Sequence, residues 1–159
     1  MTRKATAGDI DFIYGLYMHP EVNPFILYEP MEKEIFIPIY NDLLAKEVKF
    51  IYEDDGKPVG MFKLVPLTYR TSHIAYLGGL AIHPDHKGKG HGNRMMDEII
   101  ELAGRRGFLR IELSVADTNN AAIRLYEKAG FKKEAVLKKY THLKKEDRFV
   151  DEILMAYLY

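Results

Sequence analysis

The chain has 159 residues, 47% hydrophobic and 29% charged, the size and balance of one folded domain, 1–159, with its own core. Its formal net charge is +0 with pI near 7.0, which removes the global field that draws proteins to nucleic acid, and with no cysteine it has no disulfide, thiolate zinc site or cysteine nucleophile. Met1-Thr2-Arg3-Lys4-Ala5 lacks the apolar core of a signal peptide and no run is long enough to span a membrane, so a cytoplasmic protein is expected.

Thr2 to Thr6 reads as a short first strand, and Asp9 is placed to cap a helix. Ile10, Ile13, Tyr14 and Tyr17 recur at helical spacing up to about Met18, and His19-Pro20 ends the run. A second helix is predicted from about Glu32 to Lys46 on Ile35, Ile39, Leu43 and Leu44, with Pro38 inside it. Phe25, Tyr28 and Phe36 either pack in the core or line an acceptor pocket. Lys49 to Glu53 and Val59 to Val65 form a hairpin about Asp54-Asp55-Gly56-Lys57. His73 to His83 reads as a strand interrupted by Gly78-Gly79, where glycine marks a bulge or the close approach of a ligand. A helix carrying Met95, Ile99 and Leu102 on one row and Met96, Ile100 and Ala103 on the next ends between Gly104 and Gly107. Arg110 to Val115 alternates, with Ile111, Leu113 and Val115 on one side and Arg110, Glu112 and Ser114 on the other. Ala121 to Ala129 is a short helix stopped by Gly130, and Lys132–Leu143 and Phe149–Tyr159 close the chain as an antiparallel pair. The order implies an α/β (α+β) domain with a mixed, mostly antiparallel sheet flanked by helices.

The stretch that asks for a ligand is His86-Lys87-Gly88-Lys89-Gly90-His91-Gly92-Asn93. Glycines alternate with basic residues between a strand and a helix, an arrangement that lets backbone N–H groups approach a phosphate at a helix N-terminus. It is not a Walker A loop, because Gly92 is followed by Asn93-Arg94. Nor does it open the chain as a dinucleotide-binding loop does. His83, His86 and His91 are strung along this passage without the convergence that a metal site needs, so no metal is expected.

Two segments make the pattern specific: Leu80-Ala81-Ile82-His83-Pro84-Asp85-His86-Lys87-Gly88-Lys89-Gly90-His91-Gly92, and Asn119-Asn120-Ala121-Ala122-Ile123-Arg124-Leu125-Tyr126-Glu127-Lys128-Ala129-Gly130-Phe131. In this order and spacing they resemble the GNAT superfamily of acetyl-CoA-dependent N-acetyltransferases, with the nearest likeness to small bacterial acetyltransferases of amino acids and amines. Pro20-Glu21-Val22 and Phe149-Val150-Asp151 match further segments of that group.

The resemblance implies a GNAT-like sheet with a splayed central strand pair, and acetyl-CoA as co-substrate. Its pyrophosphate loop falls on Lys87, Gly88, Lys89, Gly90, His91, Gly92 and Asn93, with Lys87 where the family commonly has Arg or Gln. The bulged strand falls on Gly78 to Ile82, where the main chain of Leu80, Ala81 and Ile82 would meet the pantetheine arm. Asn119 would contact the same arm and Tyr126 would stand beside the thioester sulfur. Such chemistry needs an oxyanion donor, read as the N–H near Leu80, and a proton for the leaving thiolate, read as the Tyr126 hydroxyl. Glu112 is the candidate base, directly or through water, because Ser114 stands where ribosomal-protein acetyltransferases of the superfamily have glutamate; a solvated strand carboxylate is its other reading. With no cysteine, transfer is direct. The expected acceptor is a small primary amine, such as an amino acid. A protein or peptide N-acetyltransferase and a non-catalytic coenzyme A sensor are the alternatives. The C-terminal strands could also pair in a homodimer.

Overall fold

In the hairpin turn, Asp55 and Gly56 both adopt positive φ (49° and 72°), the paired left-handed conformation of a two-residue turn matched to strand twist. It joins β2 (Lys49–Asp54) to β3 (Lys57–Pro66) in a computed structural model that describes residues 1–159. The other strands are β1 (Thr2–Lys4), β4 (Ile74–Ile82), β5 (Arg110–Ala116), β6 (Lys132–Leu143) and β7 (Arg148–Leu158). The helices are α1 (Ile10–Met18), α2 (Lys33–Ala45), α3 (His91–Arg105) and α4 (Asn120–Lys128).

The strands form one seven-stranded sheet in the order β1-β2-β3-β4-β5-β7-β6. β4 and β5 are parallel, as strands joined through a crossover helix must be, while β1–β2, β2–β3, β5–β7 and β7–β6 are antiparallel. The β4–β5 ladder covers Ile74–Arg110, Ala75–Ile111 and Tyr76–Glu112 and goes no further, although both strands continue. By contacts the chain divides into two compact units, residues 1–64 with 78–95 and residues 65–77 with 96–159.

In the first unit, Ile13, Leu16 and Tyr17 of α1 and Phe36 and Tyr40 of α2 form a buried cluster with Ile51, Met61 and Ala81 of the strands. Of the three aromatics with two readings, Phe36 is in this core, Tyr28 packs edge-on against Tyr17 with ring centroids 5.0 Å apart, and Phe25 is exposed. α2 continues through Pro38, whose ring removes only the partner of Glu34, in the helix's first turn. Asp9 behaves differently from the cap expected of it. Its carboxylate does not bond the first turn of α1; it accepts the Thr6 N–H at 2.7 Å and pairs with Arg3 at 2.8 Å, turning back toward β1.

In the second unit, β5 alternates as read: Ile111, Leu113 and Val115 are buried while Arg110, Glu112, Ser114 and Ala116 lie half-buried on the other face. Of the two rows predicted for α3, Met96, Ile99 and Ala103 are buried here, as is Met95 in the first unit, and Leu102 and Ile100 are half-buried. β6 and β7 pair as predicted, with their register broken between Leu137 and Thr141.

Candidate functional site

The first unit carries the Gly78-Gly79 step of β4 and the glycine loop. In β4, Gly79 adopts φ +53°, and a Cβ there would come within 2.6 Å of the Tyr17 hydroxyl, so the strand holds a left-handed residue that only glycine fits. That conformation re-aims the chain at the next peptide, the N–H of Leu80. Behind Gly79 is a residue that was read only as part of a strand. Lys49 is 1% exposed, and its Nζ donates to the Tyr17 hydroxyl at 2.9 Å and lies 4.5 Å from the Tyr17 ring centroid. Burial, and then the charge of Lys63 directly across β2–β3, holds the Lys49 amine well below the usual lysine range. The signal was present in alternation, since Lys49 falls on the face of Ile51, which packs in the core.

After β4, the turn Pro84–His86 leads into the loop, where Gly88 and Gly90 take φ +75° and +79°. The first helical bond at the start of α3 runs from Arg94 N–H to the Gly90 carbonyl at 3.3 Å. The N–H groups of His91, Gly92 and Asn93 therefore precede the helical ladder, at the positive end of a fifteen-residue helix. The Lys87 N–H differs from expectation, because it already donates to the Pro84 carbonyl at 3.1 Å. The Lys87 side chain reaches Glu21 at 2.7 Å, and Lys89 Nζ donates to the Asp85 carbonyl. His91 is buried. Arg94 Nη2 donates to its Nδ1 at 2.9 Å, which leaves the ring proton on Nε2, 4.0 Å from Asp54. What this passage can do is receive an anion between exposed basic side chains and unpaired backbone donors.

The second unit carries Glu112, Asn119 and Tyr126. The Asn119 side-chain oxygen caps α4 by accepting the Ala122 N–H at 3.2 Å, so only its amide NH₂ is left to donate elsewhere. Tyr126 projects from α4, 7% exposed, with its ring 6.0 Å from Phe131. Burial, reinforced by the neighbouring Tyr76, pushes its hydroxyl up, so Tyr126 is a protonated phenol at any working pH and can donate. Glu112 is committed elsewhere: Arg110 Nε donates to it at 2.7 Å, and the same guanidinium grips Glu134 through both Nη atoms. On the same face the Tyr76 and Ser114 hydroxyls lie 3.2 Å apart. Sequence reading passed over Tyr76, because nothing marks a tyrosine in a strand until its partner across the ladder is known.

Residues 10–131 match the model of the Acetyltransferase (GNAT) family. An uncharacterized N-acetyltransferase of Methanocaldococcus jannaschii is 31% identical over 149 residues, 90% of this chain and 65% of the relative's length. The ribosomal protein bS18-alanine N-acetyltransferase of Escherichia coli K12 is 33% identical over 82 residues, covering 52% of this chain and 54% of the relative. Among solved structures, the spermidine N-acetyltransferase of Vibrio cholerae in complex with CoA and spermine superposes with a TM-score of 0.87 at 24% identity, over 99% of this chain and 94% of that one.

Proposed function

The chain belongs to the GNAT acetyltransferase family, and on that premise we propose that it acts as one domain that moves the acetyl group of acetyl-CoA directly to a primary amine of a small molecule. The observation that carries the reading is the continuous passage from Gly79 to Asn93: a left-handed bulge, a loop with two more left-handed glycines, and an open helix N-terminus. These residues suit a pyrophosphate on chemical grounds. The N–H groups from Gly88 to Asn93 supply donors, Lys87 and Lys89 supply charge, and glycine keeps side chains out of the way.

In this reading, Leu80 and Ile82 hold the pantetheine amides through their main chain, and Asn119 donates to the same arm through its NH₂. The Leu80 N–H stabilises the oxyanion as the amine attacks. The Tyr126 hydroxyl protonates the departing thiolate, a role suited to a phenol that stays protonated. The role of base proposed for Glu112 is weakened by its bond to Arg110, so it serves at most through water.

Thiol release from acetyl-CoA, measured against amino acids, spermidine, aminoglycosides and an alanine-initiated peptide, tests the proposal. Acceleration by one small amine, with acetyl-CoA binding seen by calorimetry, is the expected result. Acceleration by the peptide alone would transfer the assignment to a protein or peptide acceptor, as in the name of the E. coli ribosomal protein bS18-alanine N-acetyltransferase. Binding without turnover on any acceptor would make the chain a coenzyme A sensor.

A further inference from the structure

With Glu112 held by Arg110, the face of β5 and β7 that carries Ser114 has one other carboxylate. Residues directly paired across an antiparallel ladder share a face, so Glu112, Ser114 and Ala116 lie with Ala156, Leu154 and Glu152. Glu152 is diagonal to Ser114, half-buried rather than sealed. The Thr141 hydroxyl donates to its Oε1 at 2.6 Å. That contact exists because β6 breaks register here: Leu137 pairs with Glu152 and Thr141 with Val150, leaving three residues between, with Lys139 at φ +50°. A bulge of this kind re-aims side chains and is over-represented beside active sites.

The groups around the carboxylate are hydroxyls. Tyr76 of β4 bonds Ser114 of β5 at 3.2 Å. Its hydroxyl is pushed up by burial, against the lowering effect of the Ser114 bond and with smaller upward contributions from Tyr140 of β6 and from Glu152. Tyr126 of α4 in turn feels Tyr76. The nearest charged residues of the β6–β7 pair turn away: Asp151 lies on the opposite face, where its carboxylate takes Lys138 Nζ and the Lys139 N–H, each at 2.8 Å. The cluster thus has one carboxylate, hydroxyls able to accept or donate, and no paired cation.

We propose that Glu152, with Tyr76, Ser114 and Thr141, forms the site that receives the acceptor's ammonium group, and that Glu152 takes the proton this group must lose. The inference rests on the acetyltransferase reading. The step balances. The ammonium transfers one proton to the Glu152 carboxylate, and the freed lone pair forms the C–N bond, giving the oxyanion intermediate whose collapse breaks the C–S bond. The second nitrogen proton leaves on that collapse and passes to Tyr126, replacing the one that Tyr126 gives to the departing thiolate, and Glu152 returns its proton to solvent. The site therefore favours a cationic primary amine over an amide or alcohol of the same shape. A carboxylate anchored by a threonine hydroxyl, diagonal across the ladder from a serine that bonds a tyrosine, is suited to hold such a cation by charge-assisted bonds.

The test is Glu152→Gln, which keeps an oxygen for Thr141 and loses the charge, assayed with spermidine, L-lysine and an alanine-initiated peptide from pH 6 to 10. Calorimetry with acetyl-CoA gives the independent readout. The expected result is a fall of about 100-fold or more in kcat/KM for the amine near pH 7. The deficit shrinks as pH approaches the amine's own pKa, where the acceptor arrives already deprotonated, and acetyl-CoA affinity stays unchanged. Thr141→Val, which leaves the carboxylate in place but unanchored, gives a smaller loss with the same pH trend, and it stands in if the first variant does not fold. A loss equal at every pH, or none, overturns the assignment. So does a wild type that binds acetyl-CoA but uses none of the three amines. Failure to bind acetyl-CoA at all would instead overturn the parent reading.

Discussion

A lysine buried to 1% exposure, bonded to a tyrosine hydroxyl and facing a second lysine across the ladder, is a costly thing to keep in a core. Because the Lys49 amine is held below its unfolded value, the unfolded chain binds the extra proton between the two pKa values. Stability contributed at this position is therefore lost as pH falls from about 10.5, with a slope of about 1.4 kcal/mol per pH unit until the folded amine also charges. Lys49→Met should raise the urea midpoint at pH 7 and show a smaller gain at pH 10. A gain that is the same at both would mean the folded amine is not suppressed. Tyr126 makes the complementary prediction for activity. Tyr126→Phe removes only the hydroxyl, so turnover should drop by about 100-fold or more while calorimetry shows acetyl-CoA bound as before. Its buried ring and its hydroxyl are separate roles, since packing against Phe131 survives the change.

Among the elements, the passage from β4 into α3 depends on glycine at positions that differ in kind. A side chain at Gly79 meets the Tyr17 hydroxyl at 2.6 Å and a left-handed backbone besides. Gly79→Ala should destabilise by about 2–4 kcal/mol, the sum of overpacking and a left-handed residue, read as a lower melting temperature. Gly88 has open space where its Cβ would be, so Gly88→Ala meets only the backbone cost of about 1–2 kcal/mol. Its larger effect is expected on acetyl-CoA affinity, because relaxing that strain moves the donors that follow. The β6 bulge is the corresponding device in the second unit, and with it the Thr141 hydroxyl reaches Glu152.

For the chain as a whole, formal charge balances at +0, so the pH dependence of stability comes from particular groups rather than from net repulsion. Arg3, then the Thr6 bonds, hold the Asp9 carboxyl at about 2 against its usual 3.8. Its folded value is depressed, so its contribution is complete above about pH 5 and disappears as pH falls toward 2. Asp9→Asn should cost about 1–2 kcal/mol at pH 7 and nothing near pH 2, measured by urea unfolding. Together with Lys49, this predicts stability that rises from acid as Asp9 ionises and rises again over the interval between the folded and unfolded Lys49 values, up to about pH 10.5.

Local pattern by itself determined the helices, the hairpin and the alternation of β5, because each of these depends on residues within a few positions of one another, and the family was legible from the order and spacing of two such local segments. The loop from His86 to Asn93 was legible for the same reason: a glycine-rich approach to a helix start is a local device. The site's polar logic was not local. Glu112 looked available although its partner Arg110 stands only two positions away on the same strand face; what the fold added is Glu134, which the same guanidinium grips across 24 residues. Asp9 looked like a cap until β1 placed Arg3 beside it. Lys49 looked like a strand residue until α1 covered it with Tyr17, and Glu152 acquired its place only when a register break in β6 turned Thr141 toward it. Which charge is paired, buried or left for a ligand depends on strand register and on which helix covers which face, and those are settled by packing between segments far apart in the chain.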